Sequence, residues 1–152
     1  MSTTDIASAI SSRICHDLVS PVGAIVNGLD LIREIGMGDM QDELTMISQS
    51  ATRAASLLQF YRIAFGAVHA EDAPIPRQAL QAEARTLIDS GRIKLDWPDN
   101  TGPELSRAEA RLLCQLLLCC RAALGLRGTV SVDLSTTTAL PMRVGARAIG
   151  AG

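Results

Sequence analysis

Residues 4–35, TDIASAISSRICHDLVSPVGAIVNGLDLIREI, carry the pattern that decides the fold. Apolar side chains recur along this stretch at spacings of three and four residues, as they do on one face of an α-helix. They are Ile6, Ile10, Ile14, Leu18, Val22, Ile25, Leu29 and Ile32. Polar residues at positions 2–5 are suitable helix caps, and the glycines of IGMGD favour a helix end. The pattern predicts one long amphipathic helix from about Thr4 to Ile35.

A second helix is predicted from about Met40 to Phe65, where the same spacing returns. Its apolar face consists of Leu44, Ile47, Ala51, Ala54, Leu58, Tyr61 and Phe65. Because only a short connection separates the two helices, we expect an antiparallel hairpin. Such a hairpin leaves apolar surface uncovered, and small residues on the second helix (Ser48, Ala51, Ala54, Ala55) allow close approach. We therefore expect a homodimer that closes a four-helix bundle, the alternative being that the C-terminal half covers this surface.

The composition favours a protein built mainly of helices. The chain has 152 residues, of which 47% are hydrophobic and only 3% aromatic. This length suits one domain or two small ones, and a core of small and aliphatic side chains is usual in helix bundles. The net charge of -2, without a block of Lys or Arg, offers no electrostatic surface to nucleic acid or an anionic membrane. We expect neither as a partner.

The chain carries no sign of export or membrane insertion. No apolar run approaches the roughly 20 residues that span a bilayer, and the N-terminus lacks the features of a secretion signal. A cytoplasmic protein is therefore expected. The cysteines Cys15, Cys114, Cys119 and Cys120 lie in apolar, helix-like sequence and not in ligand pairs. We expect them to be reduced and mostly buried, with no metal site and no cofactor in this chain.

A second domain is predicted beyond a linker. Residues 66–78, GAVHAEDAPIPRQ, combine glycine and prolines with loose polar residues, which is typical of a linker. The predicted domains are a helical hairpin at 1–67 and a small α/β domain at 77–152, joined by a linker at 68–76 in which His69 is expected to be exposed. The expected elements of the second domain are a helix at 77–90, a strand within 92–100, a helix at 106–124, a strand within 128–137 and a short segment within 140–152. Trp97 is expected to pack at a strand end. The predicted fold class is α+β, mainly helical.

His16 is the candidate reactive residue. At about 100° per residue it falls opposite the apolar face, on a polar or small face with Ser12, Ser20, Gly23 and Asn27. An ordinary surface histidine is the alternative interpretation. A nucleophilic imidazole needs one ring nitrogen free, however, and the adjacent carboxylate of Asp17 is placed to hold the other. Pro21 cannot donate to the carbonyl of Asp17, so we expect the helix to bend there.

The motif HDLVSP (residues 16–21) resembles the H-box of the dimerisation and phosphotransfer domain of sensor histidine kinases. More specifically, ICHDLVSPVGAIVNGLDLI (14–32) and ATRAASLLQFYRIAFGA (51–67) are similar to ChpT-type histidine phosphotransferases. The similarity covers both hairpin helices strongly and the C-terminal half weakly.

This resemblance implies a function and a partner class. His16 would be the phosphoacceptor and Asp17 its orienting carboxylate, in a dimeric four-helix bundle flanked by domains resembling kinase ATPase domains. Such proteins shuttle a phosphoryl group between aspartates of response-regulator receiver domains, downstream of a hybrid histidine kinase, and do not use ATP. Magnesium is then expected on the receiver. Partner docking is assigned to Arg13, Ser20, Pro21 and Asn27, with Ile14 or Val19 at the apolar edge.

The C-terminal half departs from an ATP-using kinase. Where an active kinase carries two asparagines on the corresponding helix, QLLLCCRAALG (115–125) has Gln115 and Cys119. A thiol is a poor magnesium ligand, and no Asp-x-Gly-x-Gly loop is present. The domain is therefore expected to be a degenerate ATPase-like domain, and a truncated or short one, since the family's domain usually continues further. A fragment of a true kinase and a non-catalytic adaptor that docks receivers are the alternatives.

Overall fold

A computed structural model describes residues 3–35, 40–67, 73–89, 92–98, 104–125, 127–134 and 142–148. In chain order the elements are α1 (Thr3–Ile35), α2 (Gln41–Phe65), α3 (Arg77–Ile88), β1 (Ile93–Asp96), α4 (Arg107–Leu124), β2 (Gly128–Asp133) and β3 (Arg143–Ala148). Helices dominate and the strands form one small sheet, which confirms the α+β class. The chain divides into two compact units, Met1–Leu58 and Gln59–Gly152. The predicted boundaries at 67 and 77 stay a prediction.

The first unit consists of α1 and most of α2. Both helices begin within one residue of the predicted positions, and α1 continues through Pro21. Gly28 of α1 is buried, and a Cβ atom there would lie 2.7 Å from Cγ1 of Ile47 on α2. Gly28 and Ile47 are at similar distances along the chain from the connection between the helices. This contact is therefore the one expected of an antiparallel hairpin.

The apolar face of the hairpin is less covered than its pattern predicts. Ile6, Val22 and Leu29 of α1 are exposed, as are Leu44 and Leu58 of α2. Sequence periodicity identifies which side chains share a face, but it does not show that one neighbouring helix is wide enough to cover that face. A single copy of the hairpin leaves these side chains in water.

The second unit has a core contributed by the end of α2, by α3 and α4, and by the strands β1 and β2. The last turns of α2 belong to this unit and bury Phe60, Ile63 and Ala64. The helices α3 and α4 and the strands supply the other large buried apolar side chains, which include Leu80, Leu87, Ile88, Leu95, Leu113, Leu117, Val130 and Val132. Trp97 is only 2% exposed and its carbonyl accepts hydrogen bonds from Gln81 and Arg85, which confirms its predicted packing role.

The sheet has the order β1-β2-β3 among the described strands. Strand β1 is parallel to β2, and β2 is antiparallel to β3. Parallel neighbours need a crossover connection, and α4 provides it between β1 and β2. The side chains of β1 alternate between buried and exposed, whereas those of β3 are almost all exposed. The two predicted strands are thereby confirmed, and the short segment predicted within 140–152 contains a third strand, β3.

Helix α4 begins and ends with clear local signals. The hydroxyl of Ser106 accepts a hydrogen bond from the backbone N–H of Glu109, and the Glu109 carboxylate accepts one from the backbone N–H of Ser106. This reciprocal capping satisfies two donors that a helix start otherwise leaves unpaired. The helix ends at Gly125, whose φ of 61° suits glycine.

The structure describes residues 73–76 of the predicted linker. Ile75 is buried, and its N–H and carbonyl pair with those of Leu105 at 2.7 and 3.0 Å. Residues 68–72, which include His69, lie outside the described residues. Among the helices that the structure describes, none is both long and apolar enough to cross a membrane.

Candidate functional site

His16 lies on the solvent side of α1. Its side chain is 80% exposed, as the helical periodicity predicts. Ser12, Ser20 and Asn27, which share its face at one-turn intervals, are also exposed. The imidazole is therefore surrounded by small and polar side chains and is accessible to a large molecule that approaches the helix from the side.

Asp17 is the opposite of its neighbour, since its side chain is only 5% exposed. One carboxylate oxygen, Oδ1, lies 3.1 Å from His16 Nδ1. A carboxylate can only accept a hydrogen bond, so this contact requires the proton on Nδ1. The lone pair of the neutral ring is then on Nε2. The site thus pairs an exposed nucleophilic nitrogen with a buried negative charge on the other side of the same ring.

Arg13 completes the cluster. Its Nε donates to Oδ2 of Asp17 at 3.1 Å, and the arginine side chain is 39% exposed. The two residues are four apart, the spacing at which side chains meet on a helix. The sequence pattern assigns Arg13 to the docking residues, and this ion pair is not among the predicted contacts. The i, i+4 spacing of opposite charges is the signal that predicts it.

The remaining docking candidates differ in accessibility. Ser20 and Asn27 are exposed, and Val19 is 70% exposed. Pro21 is buried, so it does not fit the assignment to a docking surface. Its chemical effect is on the backbone, because a proline at this position leaves the carbonyl of Asp17 without the usual donor four residues on.

The cysteines depart from the sequence prediction of mostly buried thiols. Cys15 and Cys119 are exposed, Cys120 is half-buried, and only Cys114 is buried. Burial raises the pKa of the Cys114 thiol to about 12. The pKa of Cys120 is also raised, mainly by burial and to a smaller extent by the neighbouring thiol of Cys119. Apolar neighbours in a sequence window do not decide burial, because α4 turns one of its faces to solvent. In the described ranges, no three His, Cys, Asp or Glu side chains form a group that could ligate a metal.

Gln115 and Cys119, which the resemblance to kinases places at the asparagine positions, have different surroundings. The amide of Gln115 donates to the carbonyl oxygen of Ala64 at 2.9 Å, and the residue is partly buried. Gln115 therefore links α4 to the last turn of α2 within the second unit. Cys119 is exposed on α4. Gln115 is thus engaged in a structural hydrogen bond.

Comparisons with known proteins identify the family to which the chain belongs. Residues 77–151 match a family model described as the histidine phosphotransferase C-terminal domain. The chain is 35% identical over 134 residues to protein phosphotransferase ChpT of Brucella abortus (strain 2308). That match covers 88% of this chain and 63% of the length of the relative.

A solved structure extends the agreement to the fold. The chain matches a structure described as a bacterial phosphotransferase with a TM-score of 0.62 and 32% sequence identity. The match covers 95% of this chain and 67% of that one, so it includes the hairpin as well as the sheet. The chain belongs to the family of ChpT-type histidine phosphotransferases.

Proposed function

We propose that the chain transfers phosphoryl groups between response regulators of a two-component phosphorelay, with His16 as the phosphoacceptor. It takes the group from an aspartate of one receiver domain, such as that of a hybrid histidine kinase, and passes it to another. The observation that carries this proposal is the His16–Asp17 pair, in which an exposed imidazole is held through Nδ1 by a buried carboxylate.

The transfer step follows from this arrangement. The lone pair of Nε2 attacks phosphorus while the bond from phosphorus to the receiver's carboxylate oxygen breaks, and the aspartate leaves as a carboxylate. The proton on Nδ1 stays in place, so the phosphorylated ring carries a positive charge. Asp17, at 3.1 Å from Nδ1, stabilises that charge. The reverse sequence passes the group to the next receiver.

The chain itself has to supply little beyond this nucleophile and a docking face. Phosphoryl transfer depends mainly on positioning and charge neutralisation, and the magnesium that neutralises the phosphoryl oxygens belongs to the receiver. Ser20 and Asn27 offer hydrogen bonds on the same face of α1 as His16. Val19, exposed next to them, offers an apolar contact of the kind found at the centre of protein interfaces.

A homodimer is part of the proposal. The exposed apolar side chains of the hairpin, among them Ile6, Val22, Leu29 and Leu44, are those that a second hairpin would cover in a four-helix bundle. One chain has a mass of 16.1 kDa, and sedimentation equilibrium is expected to give twice that mass. Replacing Val22 and Leu29 together by glutamate is expected to give the monomer, and a wild-type monomer at micromolar concentration would refute the dimer.

The second unit is proposed to be a degenerate ATPase-like domain that does not use ATP. Gln115 supports this, because its amide is engaged in a hydrogen bond to the carbonyl oxygen of Ala64. Cys119 supports it as well, because it offers a thiol where a hard cation prefers oxygen. Calorimetric titration with ATP and magnesium is expected to show no binding at millimolar concentrations. Binding with micromolar affinity would favour the alternative, a fragment of a true kinase.

The central test is the transfer of phosphate from a receiver. A receiver domain is phosphorylated with acetyl phosphate, the excess acetyl phosphate is removed, and the phosphorylated receiver is mixed with the protein. We expect an acid-labile phosphate on the wild type and on His69→Gln, and none on His16→Ala. Phosphate that still appears on His16→Ala would refute the assignment of the phosphoacceptor. Receiver binding without transfer by the wild type would instead favour the adaptor.

A further inference from the structure

Arg13 and His16 contact different oxygens of the same carboxylate. Nε of Arg13 donates to Oδ2 of Asp17 at 3.1 Å, and Nδ1 of His16 lies 3.1 Å from Oδ1. The carboxyl group is rigid and planar, so a bond that fixes one oxygen also fixes the direction in which the other accepts. The order along the cluster is guanidinium, carboxylate, imidazole.

The burial of the three side chains gives this order a direction. Asp17 is 5% exposed, whereas Arg13 is 39% and His16 80% exposed. A carboxylate that has lost most of its water has to be paired by donors from the protein. An imidazole in solvent has no packing to hold its ring and depends on its hydrogen-bond partner for orientation. The arginine therefore steadies the partner on which the histidine depends.

We infer that Arg13 is a positioning residue that, by holding Oδ2 of Asp17, keeps the proton of His16 on Nδ1 and the reactive lone pair on Nε2. The inference deepens the proposed function and rests on His16 as the phosphoacceptor. It also gives Arg13 a different role from partner docking, which the sequence predicts for it. Docking acts only when a receiver is present, whereas positioning acts in the free protein.

Two substitutions separate the donor of Arg13 from its charge. Arg13→Gln keeps an N–H donor attached to Cδ, the same atom that carries Nε in arginine, and removes the charge. Arg13→Met has a similar length and keeps neither. Arg33→Met is the matched control, because Arg33 forms an exposed ion pair with Asp30 on the same helix. If position and not charge is what matters, glutamine rescues and methionine does not.

The tautomer of His16 is the readout that a merely structural role would not move. The sequence contains two histidines, so a His69→Gln background leaves His16 as the only one. With ¹⁵N-labelled histidine at a pH where the ring is neutral, the imidazole nitrogen shifts report which nitrogen carries the proton. We expect mainly Nδ1–H in the background protein, Arg13→Gln and Arg33→Met. In Arg13→Met the ratio is expected to move toward Nε2–H by about fivefold, the factor for one net hydrogen bond.

The same variants are then assayed for phosphate acceptance from a charged receiver, with circular dichroism to verify folding. Arg13→Met is expected to accept about tenfold more slowly, and Arg13→Gln within about threefold of the parent. An unchanged tautomer in Arg13→Met overturns the inference, whatever happens to the rate, and a slower rate would then assign Arg13 to docking. The nitrogen shifts need no receiver, so this result is independent of the proposed function. Failure of that function would appear separately, as transfer that survives His16→Ala.

Discussion

At the scale of single residues, consecutive positions on α1 have opposite environments. His16 is exposed because helical geometry turns it away from the apolar face, and Asp17, 100° further round, turns inward. A carboxylate at 5% exposure would be unfavourable on its own, but it accepts from Arg13 and His16. The site therefore combines a solvent-accessible nucleophile with an anion that water does not screen, and interactions with such an anion are stronger than at the surface.

The cysteines give a residue-scale prediction about reactivity. The thiolate is the reactive form, so burial of Cys114, which raises its pKa to about 12, protects it twice, by access and by ionisation. Under iodoacetamide at pH 8, we expect Cys15 and Cys119 to be alkylated first and Cys120 more slowly. Cys114 should resist until the protein unfolds. Peptide mapping by mass spectrometry measures the four rates, and native labelling of Cys114 as fast as that of Cys15 would contradict its burial.

Sequence alone predicts part of this site. Periodicity gives the exposure of His16, and adjacency gives Asp17 as its partner. Neither gives the burial of Asp17 or of Pro21, because burial depends on what packs against α1 and not on the spacing along it. The i, i+4 rule predicts that Arg13 and Asp17 can form an ion pair, but spacing alone does not tell which of several such charged pairs forms.

At the scale of elements, the contact between the hairpin helices gives a matched pair of glycine substitutions. In Gly28→Ala the new Cβ would lie 2.7 Å from Cγ1 of Ile47. This atom is bonded directly to the branched Cβ of isoleucine, whose χ1 angle is restricted in a helix, so it cannot move away freely. At Gly23 nothing lies within 4 Å. We expect Gly23→Ala to stabilise the protein by about 1 kcal/mol through helix propensity. Gly28→Ala should destabilise it by about 1 kcal/mol or more.

Urea unfolding followed by circular dichroism at 222 nm measures both glycine variants. Both variants gain the same helix propensity from Gly to Ala, so the difference between their free energies of unfolding cancels that gain and reports the contact at Gly28. Stabilisation by Gly28→Ala equal to that by Gly23→Ala would show that the two helices do not approach closely at this point.

The start of α4 gives a prediction about pH. Hydrogen bonds from Ser106, first from its side chain and then from its backbone, lower the pKa of Glu109 from its ordinary value. The unfolded chain then binds a proton more readily than the folded one, so this contribution to stability is present above the unfolded pKa and is lost as pH falls through the folded pKa. The wild type should have a higher melting temperature than Glu109→Gln at pH 7, and this difference in melting temperature should shrink as the pH falls below about 4.

The control for this prediction is Ser106→Ala. Removal of the hydroxyl is expected to destabilise the protein by about 1 kcal/mol at pH 7 and to weaken the pH dependence that comes from Glu109. Thermal melts at steps of half a pH unit measure both effects. A melting difference between wild type and Glu109→Gln that stays constant down to pH 3 would rule out the proposed linkage.

At the scale of the whole molecule, the elements are easier to predict from sequence than the units. Prolines and glycines mark where the chain turns, and they place the linker at 68–76. Compactness depends on side-chain packing, and the second unit includes Gln59 and the buried residues Phe60, Ile63 and Ala64. Nothing in the sequence of α2 marks that change, because the helix continues through it.

Two fragments test where the second unit begins. The fragment 68–152 lacks Phe60, Ile63 and Ala64, whereas 59–152 retains them. Burial of one phenylalanine contributes about 2–3 kcal/mol, so we expect 68–152 to be less stable by at least about 3 kcal/mol. Urea denaturation of both fragments, followed by the fluorescence of Trp97, measures this difference. Equal midpoints would place the boundary at 67, as the prolines predict.

The hydrogen bond from Gln115 to Ala64 has an evolutionary consequence. Gln115→Asn would introduce a kinase-type residue, but its side chain is one methylene shorter and would withdraw the donor from the carbonyl of the buried Ala64, a loss of about 1–3 kcal/mol. On the proposal that the second unit is an ATPase-like domain that does not use ATP, a return to nucleotide binding would therefore begin with a loss of stability. The hydrogen bond between Gln115 and Ala64 would then make the loss of ATP use hard to reverse.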